Sequence, residues 1–307
     1  MRSADIVVFH RPESTDHHKL ARVLKSMGKK IVFDNDDTWE LDKESPFYGL
    51  DETGKEQSQK IINDLVHNFI TNSDLVTTTT ETLADEYRKF NKNVVILPNC
   101  VNQSDWEKPQ RNETDKIRIG VVGSTAYTQD MSLITEELLE LDKRDDVQFI
   151  LFGLQSEQKR KENPLVQKVY KKEYELADKL KNKEHVGWVD MKDYAKTLNR
   201  LKLDIMLIPR KECYFNKCKS NLKFLEAAMC EIPCIVSSFD NAPYEEITED
   251  IGIKIKNGDS WKEAINKLID DKDLRRKIGA NAKDYVLNKY DIKNNAKLWK
   301  DAYDKII

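Results

Sequence analysis

In the stretch Lys217–Ser238, KCKSNLKFLEAAMCEIPCIVSS, Lys219 and Lys223 stand four apart, Glu226 follows three further on, and an apolar run stops at a proline. The first half of the stretch has helical spacing, and its second half, from Pro233, reads as a short buried strand. Ser220 and Asn221 are both good N-cap residues. A helix starting there, at Ser220, Asn221 and Leu222, points free backbone N–H groups outward and favours an anion. Lys219 then sits just before the cap, Lys223 one turn in on the same side, and Glu226 near the same stripe. Two cations beside open N–H groups suit a diphosphate. A carboxylate a turn away suits vicinal ribose hydroxyls, as acidic residues do in dinucleotide sites. The same spacing also fits an ordinary amphipathic helix with solvated Lys and Glu.

Outward from this stretch the chain alternates strand and helix. Toward the N-terminus, DIVVFH (5–10), KKIVFDND (29–36), DLVTTTT (74–80) and VVILP (94–98) read as strands. They are separated by helical patterns at 15–28, 59–73 and 81–91. In the first of these, Leu20, Val23, Leu24 and Met27 fall at helical spacing, and Gly28 marks its end. Residues 101–116 are polar and turn-rich, a linker. The pattern then restarts with KIRIGVVG, a helix at 130–144 with Leu133, Ile134, Leu138 and Leu141 on one side, and VQFILFG. The strands LDIMLIP (203–209), PCIVSS (233–238) and GIKIK (252–256) follow, with helices at 220–230 and 260–288. This order predicts an α/β fold with parallel sheets covered by helices. Ligands then gather beyond the carboxyl ends of the strands, at the loops after Gly123, Gly153, Pro209 and Lys219.

A chain of 307 residues has room for two domains, and 39% apolar residues can build their cores. With 51 Lys+Arg against 54 Asp+Glu, the net charge of −3 excludes a generally polyanion-binding protein, though local basic patches remain possible. One such segment, 155–183, carries nine basic and five acidic residues. It reads either as a solvated helix with Leu165, Val169, Leu176 and Leu180 inward or as a basic face toward an anionic acceptor. No apolar run is long enough for a membrane span, and the N-terminus does not read as a signal peptide. The five cysteines follow no disulfide or zinc spacing, which fits a reducing compartment and a cytoplasmic location.

Several chemistries are excluded by motif. The chain lacks G-x-G-x-x-G, G-x-x-x-x-G-K-[ST] and G-x-S-x-G, so a dinucleotide dehydrogenase, a P-loop ATPase and a nucleophile-elbow hydrolase are disfavoured. Gly123 permits close backbone approach to a ligand, and Ser124 and Thr125 supply hydroxyls beside it. FDNDDTW (33–39) places Asp34, Asp36 and Asp37 after the second strand, near His10 and Arg11 at the end of the first. These five read as an acceptor-side group, with turn capping or metal ligation as other readings of the aspartates and a structural role as the other reading of His10.

Taken together the pieces resemble glycosyltransferase family 4. KSNLKFLEAAMCEIPCIVSS resembles that family's donor-site helix, GVVGST its first turn in the second domain, and HVGWVDMKDYAKTLNRLKLDIMLIP its nucleobase turn and following strand. NSDLVTTTTETLADEYRKFNKNVVILPNCVN and WKEAINKLIDDKDLRRKIGANAKDYV are similar to further family segments. The resemblance covers residues 70–307 well and 1–69 loosely.

It implies a retaining, metal-independent enzyme of the GT-B fold. Two Rossmann-like domains would face a cleft, 1–106 with a returning helix at about 289–307, and 107–288. The implied co-substrate is a nucleotide-diphosphate sugar, UDP- or GDP-linked, with no cofactor and no metal. Gly123, Ser124, Thr125, Gly153, Gly187, Trp188 and 219–223 with Glu226 would hold the donor, and Lys219 and Lys223 would stabilise the leaving diphosphate. His185 would orient the Gly187 turn. The acceptor is open: a glycan, a protein, a lipid-linked glycan or modified nucleic acid. A non-catalytic nucleotide-sugar or glycan-binding module and a sugar-nucleotide epimerase are the alternatives. Three departures stand out. Cys218 occupies the place of a family glutamate, Glu231 that of a glycine before the proline, and the first domain is short.

Overall fold

A computed structural model describes residues 4–41, 43, 45, 47–49, 57–123, 128–153, 161, 162 and 171–307. The chain is α/β throughout and parts into two compact units. The first comprises 1–99, 213–220 and 292–307, and the second 100–212 and 221–291.

The first unit holds strands β1 (Ile6–His10), β2 (Lys30–Asp34), β3 (Leu75–Thr78) and β4 (Val94–Ile96), all parallel and in that spatial order. Helices α1 (Thr15–Ser26), α2 (Gln59–Thr71) and α3 (Glu81–Arg88) connect them. Local chemistry sets the starts. Ser14 caps α1 by accepting the His17 amide in a capping box, and Thr80 caps α3 by accepting the Leu83 amide. Phe9, Phe33, Val66, Phe69 and Tyr87 form the core on one face of the sheet. On the other face Val32, Leu75 and Leu97 pack with Ala302, Trp299 and Tyr303 of the final helix of the chain (Ile292–Asp304). The expected apolar stripe of α1 is only partly inward. Leu24 is buried, but Leu20, Val23 and Met27 are 38%, 55% and 52% exposed. Periodicity sets the stripe, but β1 is an edge strand among the described residues, so the sheet does not cover all of it.

The second unit carries β5 (Ile117–Val122), β6 (Val147–Phe152), β7 (Lys183–Val186), β8 (Ile205–Ile208), β9 (Cys234–Ser237) and β10 (Ile253–Ile255). All are parallel, in the order β10-β9-β8-β5-β6-β7. The pattern expected at 130–144 breaks into α4 (Thr128–Met131) and α5 (Thr135–Leu141), with Ile134, Leu138 and Leu141 buried and Leu133 exposed. Helix α6 (Lys171–Lys179) precedes β7, a strand that the charged sequence KEHV did not announce. Leu176 and Leu180 are buried as expected, while Leu165 and Val169 lie outside the described residues. Helix α7 (Met191–Arg200) leads to β8. The short helix α8 (Tyr214–Cys218), which belongs to the first unit, and α9 (Leu222–Met229) then precede β9. The expected helix at 260–288 is two, α10 (Trp261–Asp270) and α11 (Lys272–Tyr290), because Asp271 breaks the run and caps α11 through the Leu274 amide. The last helix is α12.

Glu231, in the place of a family glycine, takes the left-handed conformation with φ 54°, where a side chain costs roughly 1 kcal/mol over glycine. Its carboxylate pairs with Arg111 and with Lys283 Nζ at 3.2 Å, which offsets that cost. Its carbonyl lies against Gly279 of α11, where a Cβ would come within 2.1 Å of the oxygen.

Candidate active site

In the second unit the strand order reverses between β5 and β8. From β5 the chain proceeds to β6 and β7 on one side, and from β8 to β9 and β10 on the other. The carboxyl ends of these two strands are where an open parallel sheet binds ligands. Helix α9 begins close by in sequence. Asn221 occupies its N-cap but makes no side-chain cap bond, and its Nδ2 donates to Glu246 Oε1. The first N–H groups of α9 therefore keep no side-chain cap, as an anion site requires.

Lys223, in the first turn of α9, is largely buried. Its Nζ lies 2.9 Å from both Glu226 Oε2 and the Tyr194 hydroxyl, and Tyr194 OH is 2.8 Å from the same carboxylate oxygen. Burial works against the Lys223 charge, but Glu226 and Tyr194 outweigh it and hold the ammonium well above its ordinary pKa. Tyr194 stacks on Phe152, with ring centroids 5.5 Å apart, and burial and the Glu226 charge push its hydroxyl pKa up. A fixed cation is thus presented at the start of a helix. Glu226 Oε1 carries no hydrogen bond among the described residues.

Gly123 ends β5 with its amide on Phe152 O at 3.0 Å, and Gly153 ends β6 with φ 105° and its amide on Val186 O. After β7 come Gly187 and Trp188, the latter 56% exposed, an aromatic face open to stacking. Ser124 and Thr125 lie outside the described residues. Leu222 opens α9 as expected. Lys219 and Ser220 fall in the first unit, where Lys219 pairs with Asp37 and rests over the Phe215 ring, and Ser220 Oγ accepts from Asn99 at 2.7 Å. Sequence spacing placed Lys219 beside Lys223 but gave no sign of Asp37 as its partner.

The same unit gathers the other residues read as acceptor-side. His10 Nδ1 lies 3.0 Å from Asp34 Oδ2, and Asp34 Oδ1 accepts from Thr77 at 2.6 Å. Arg11 adopts φ 51°, a strained setting for a side chain, with its guanidinium 3.3 Å from Asp37 and over Trp39. The loop is held from below. Tyr87 OH donates to Asp37 O at 2.9 Å, and Thr38 and Tyr214 hydroxyls both donate to Glu86 Oε2. Four polar atoms at the carboxyl ends of β2 and β3 are buried with no hydrogen-bond partner among the described residues: Asp36 Oδ1, Trp39 Nε1, Thr78 Oγ1 and Thr79 Oγ1. Among the described residues no group of three or more His, Cys, Asp or Glu is arranged to hold a metal ion.

Cys218, which stands in the place of a family glutamate, is fully buried in the core of the first unit with Phe33 and Tyr87. Burial, then the neighbouring Glu86 charge, pushes its thiol up to about 12. Three residues that sequence reasoning passed over are structurally prominent. Tyr194 braces Lys223, Glu246 accepts from Asn221, Tyr285, Lys289 and Tyr290, and Arg210 is a buried cation after β8. The one available signal was the strand–Pro–Arg sequence LIPR.

Residues 102–285 match the family model described as glycosyl transferases group 1. No curated protein matches the chain by sequence. Among solved structures, the chain is similar to a sucrose-phosphate synthase from Thermosynechococcus elongatus (TM-score 0.67, 16% identity, 98% of this chain and 73% of that one). It is also similar to Anabaena HepE, solved with UDP and glucose (TM-score 0.69, 11% identity, 99% and 79%). A third is S. aureus TarM, solved with fondaparinux, alpha-GlcNAc-glycerol and UDP (TM-score 0.62, 16% identity, 90% and 51%), of which this chain spans about half the length. At these identities the likeness is one of fold, with two parallel-sheet Rossmann-like halves of the GT-B kind.

Proposed function

The chain belongs to the glycosyl transferases group 1 family and is a glycosyltransferase, and from that premise we propose that it transfers sugar from a nucleotide-diphosphate donor to a hydroxylic acceptor. We further propose that transfer retains anomeric configuration and needs no metal ion. The observation that carries this reading is Lys223, a buried ammonium fixed by Glu226 and Tyr194 in the first turn of an uncapped helix.

In the proposed mechanism the bond from the anomeric carbon to the diphosphate breaks with its electron pair on the leaving oxygen, while the acceptor hydroxyl oxygen bonds to the anomeric carbon from the same face and its proton passes to the leaving diphosphate oxygen. Lys223 and the α9 N–H groups meet the developing charge, a fixed electrostatic field that needs no reorganisation. Glu226 Oε1 accepts from the ribose, and the exposed Trp188 ring stacks the base. UDP is the first nucleotide to test, since two structural neighbours were solved with it. The acceptor belongs to the first unit in this reading. There the unpartnered Asp36, Trp39, Thr78 and Thr79 atoms match a polyhydroxylic molecule better than an apolar one.

A thermal-shift screen across nucleotide sugars tests the donor. A ligand that binds the folded state raises stability as RT ln(1 + [L]/Kd), so the true donor stands out from its analogues. Turnover of that donor in excess EDTA tests the metal. Full activity is expected, and loss restored by Mn²⁺ or Mg²⁺ would give the metal role to Asp34, Asp36 and Asp37. Product in which the anomeric centre is inverted ends the retaining assignment.

A further inference from the structure

The groove between α1 and α2 of the first unit holds a cavity of about 530 Å³. That size falls within the ~300–1,000 Å³ of small-molecule sites. The cavity runs along α1 from Thr15 in the first turn to Lys25 in the last, and Ile31, Leu65 and Phe69 give it an apolar lining. The face of α1 that lines it is basic: His18, Lys19, Arg22 and Lys25 recur at helical spacing. The apolar stripe of the same helix, Leu20, Val23 and Met27, stays exposed. Among the described residues no aspartate or glutamate lines the cavity, and none of the residues read as acceptor-side does.

The lining donors are unequally engaged. Lys25 donates to Asn72 O and lies 3.7 Å from Asp74, which ties the end of α1 to the end of α2. His18 Nε2 lies 3.0 Å from Leu65 O, and burial holds its pKa below the ordinary value, so the ring adds no full charge. Lys19 meets Asp16 at 2.9 Å, an exposed pair of small worth that leaves further N–H groups on the ammonium. Arg22 has no hydrogen bond and no ion pair among the described residues. On the α2 wall, Asn68 accepts from Asn72 through both of its oxygens, and its Nδ2 makes no hydrogen bond.

We propose that this groove is a ligand site in its own right and takes a small phosphorylated molecule. The phosphate lies on Arg22, Lys19 and Asn68 Nδ2 donate to it from the two walls, and the body of the ligand rests on Ile31, Leu65 and Phe69. The guanidinium fork matches two phosphate oxygens at once. A phosphate monoester carries about −1.5 to −2 charge at neutral pH, which suits Arg22 and Lys19 together better than a single carboxylate does. Bare phosphate would leave the apolar lining and most of the cavity unfilled, so the ligand carries a body. A packing role gives α1 no reason to line a groove with cations while its apolar stripe faces water, and an anionic ligand supplies one.

Calorimetric titration of the full chain, in the wild type and in Lys223→Ala, uses ribose 5-phosphate, free ribose and inorganic phosphate. Phosphatidylglycerol vesicles present the same group from a lipid. Ribose 5-phosphate is expected to bind both proteins, more tightly than inorganic phosphate, and ribose is expected not to bind. Arg22→Gln should weaken ribose 5-phosphate about tenfold or more and leave the melting temperature unchanged, since Arg22 bonds to nothing in the fold. Asn68→Asp keeps the oxygen that accepts from Asn72, sets a carboxylate on the opposite wall, and should weaken the ligand as much. Binding that survives both substitutions, or that Lys223→Ala abolishes, overturns the site. So does the absence of binding by every soluble phosphate. Capture by vesicles without any soluble phosphate binding gives the groove to a lipid headgroup and ends the small-ligand assignment. If Arg22→Gln lowers the melting temperature, Asn68→Asp decides alone.

Discussion

Lys223 Nζ stands 2.9 Å from Glu226 Oε2, one helical turn away, and the Tyr194 hydroxyl lies within hydrogen-bond distance of both. The pair is a brace as well as an ion pair: one carboxylate oxygen fixes the cation, and the other carries no hydrogen bond among the described residues. This division of labour makes Glu226 testable atom by atom.

Glu226→Ala is expected to weaken a nucleoside diphosphate about ten- to a hundredfold, the worth of a charge-assisted hydrogen bond of roughly 1.5–3 kcal/mol. Part of that loss comes from a loosened Lys223, which a 2′,3′-dideoxy diphosphate also feels. The ribo ligand should therefore lose more than the dideoxy ligand, and equal losses by calorimetry would remove the ribose role from Glu226 and leave only the brace.

Tyr194→Phe keeps the stack on Phe152 and deletes only the hydroxyl. Stability should fall by about 0.5–1.5 kcal/mol in urea unfolding. Diphosphate affinity should drop several-fold while nucleoside affinity holds, and an unchanged diphosphate affinity shows that the hydroxyl does not steady Lys223.

Gly279→Ala drives a methyl into the Glu231 carbonyl, which is backbone and cannot swing aside. The expected loss is about 1–3 kcal/mol, as for overpacked cores, despite the better helix propensity of alanine. Stability equal to or above that of the wild type would show that α11 shifts freely at this contact.

Glu86 gives the pH prediction. Burial raises its carboxyl above the usual 4.5, although Thr38 and Tyr214 donate to it. The folded state therefore holds a proton that the unfolded state has lost between 4.5 and the raised value. Stability falls as pH rises through that window and is level above it. Glu86→Gln removes the titration, so its melting temperature should drop less than that of the wild type between pH 4.5 and pH 8. Parallel curves for the two proteins refute the shift.

Truncation after Asp291 removes α12 and uncovers Val32 and Leu75 on the first sheet. A loss of about 3 kcal/mol or more is expected, because several large side chains leave one core together. Dye binding to newly exposed apolar surface is the companion readout, and an unaltered melting curve would mean that α12 contributes nothing to that core.

The sequence by itself determined the α/β alternation, the parallel sheets and the helix that starts near Asn221, because those depend on periodicity and on capping chemistry within a few residues. The resemblance placed Glu231 where the family has a glycine, and the structure gives it φ 54°. The sequence could not decide which face of α1 the sheet covers, because Leu20, Val23 and Met27 have the right spacing and only the edge position of β1 leaves them exposed. Nor could it decide the partners of its charges. Lys219 and Asp37 are 182 residues apart, and Cys218 turns into the same unit's core beside Tyr87. Tyr194 and Glu226 meet across 32 residues, and Asp130 meets Arg210 across the end of the second sheet. Local spacing fixes where a side chain sits on its own element. What it touches depends on how elements far apart in the chain pack to bury apolar surface, and the charges must then pair with whatever that packing brings within reach.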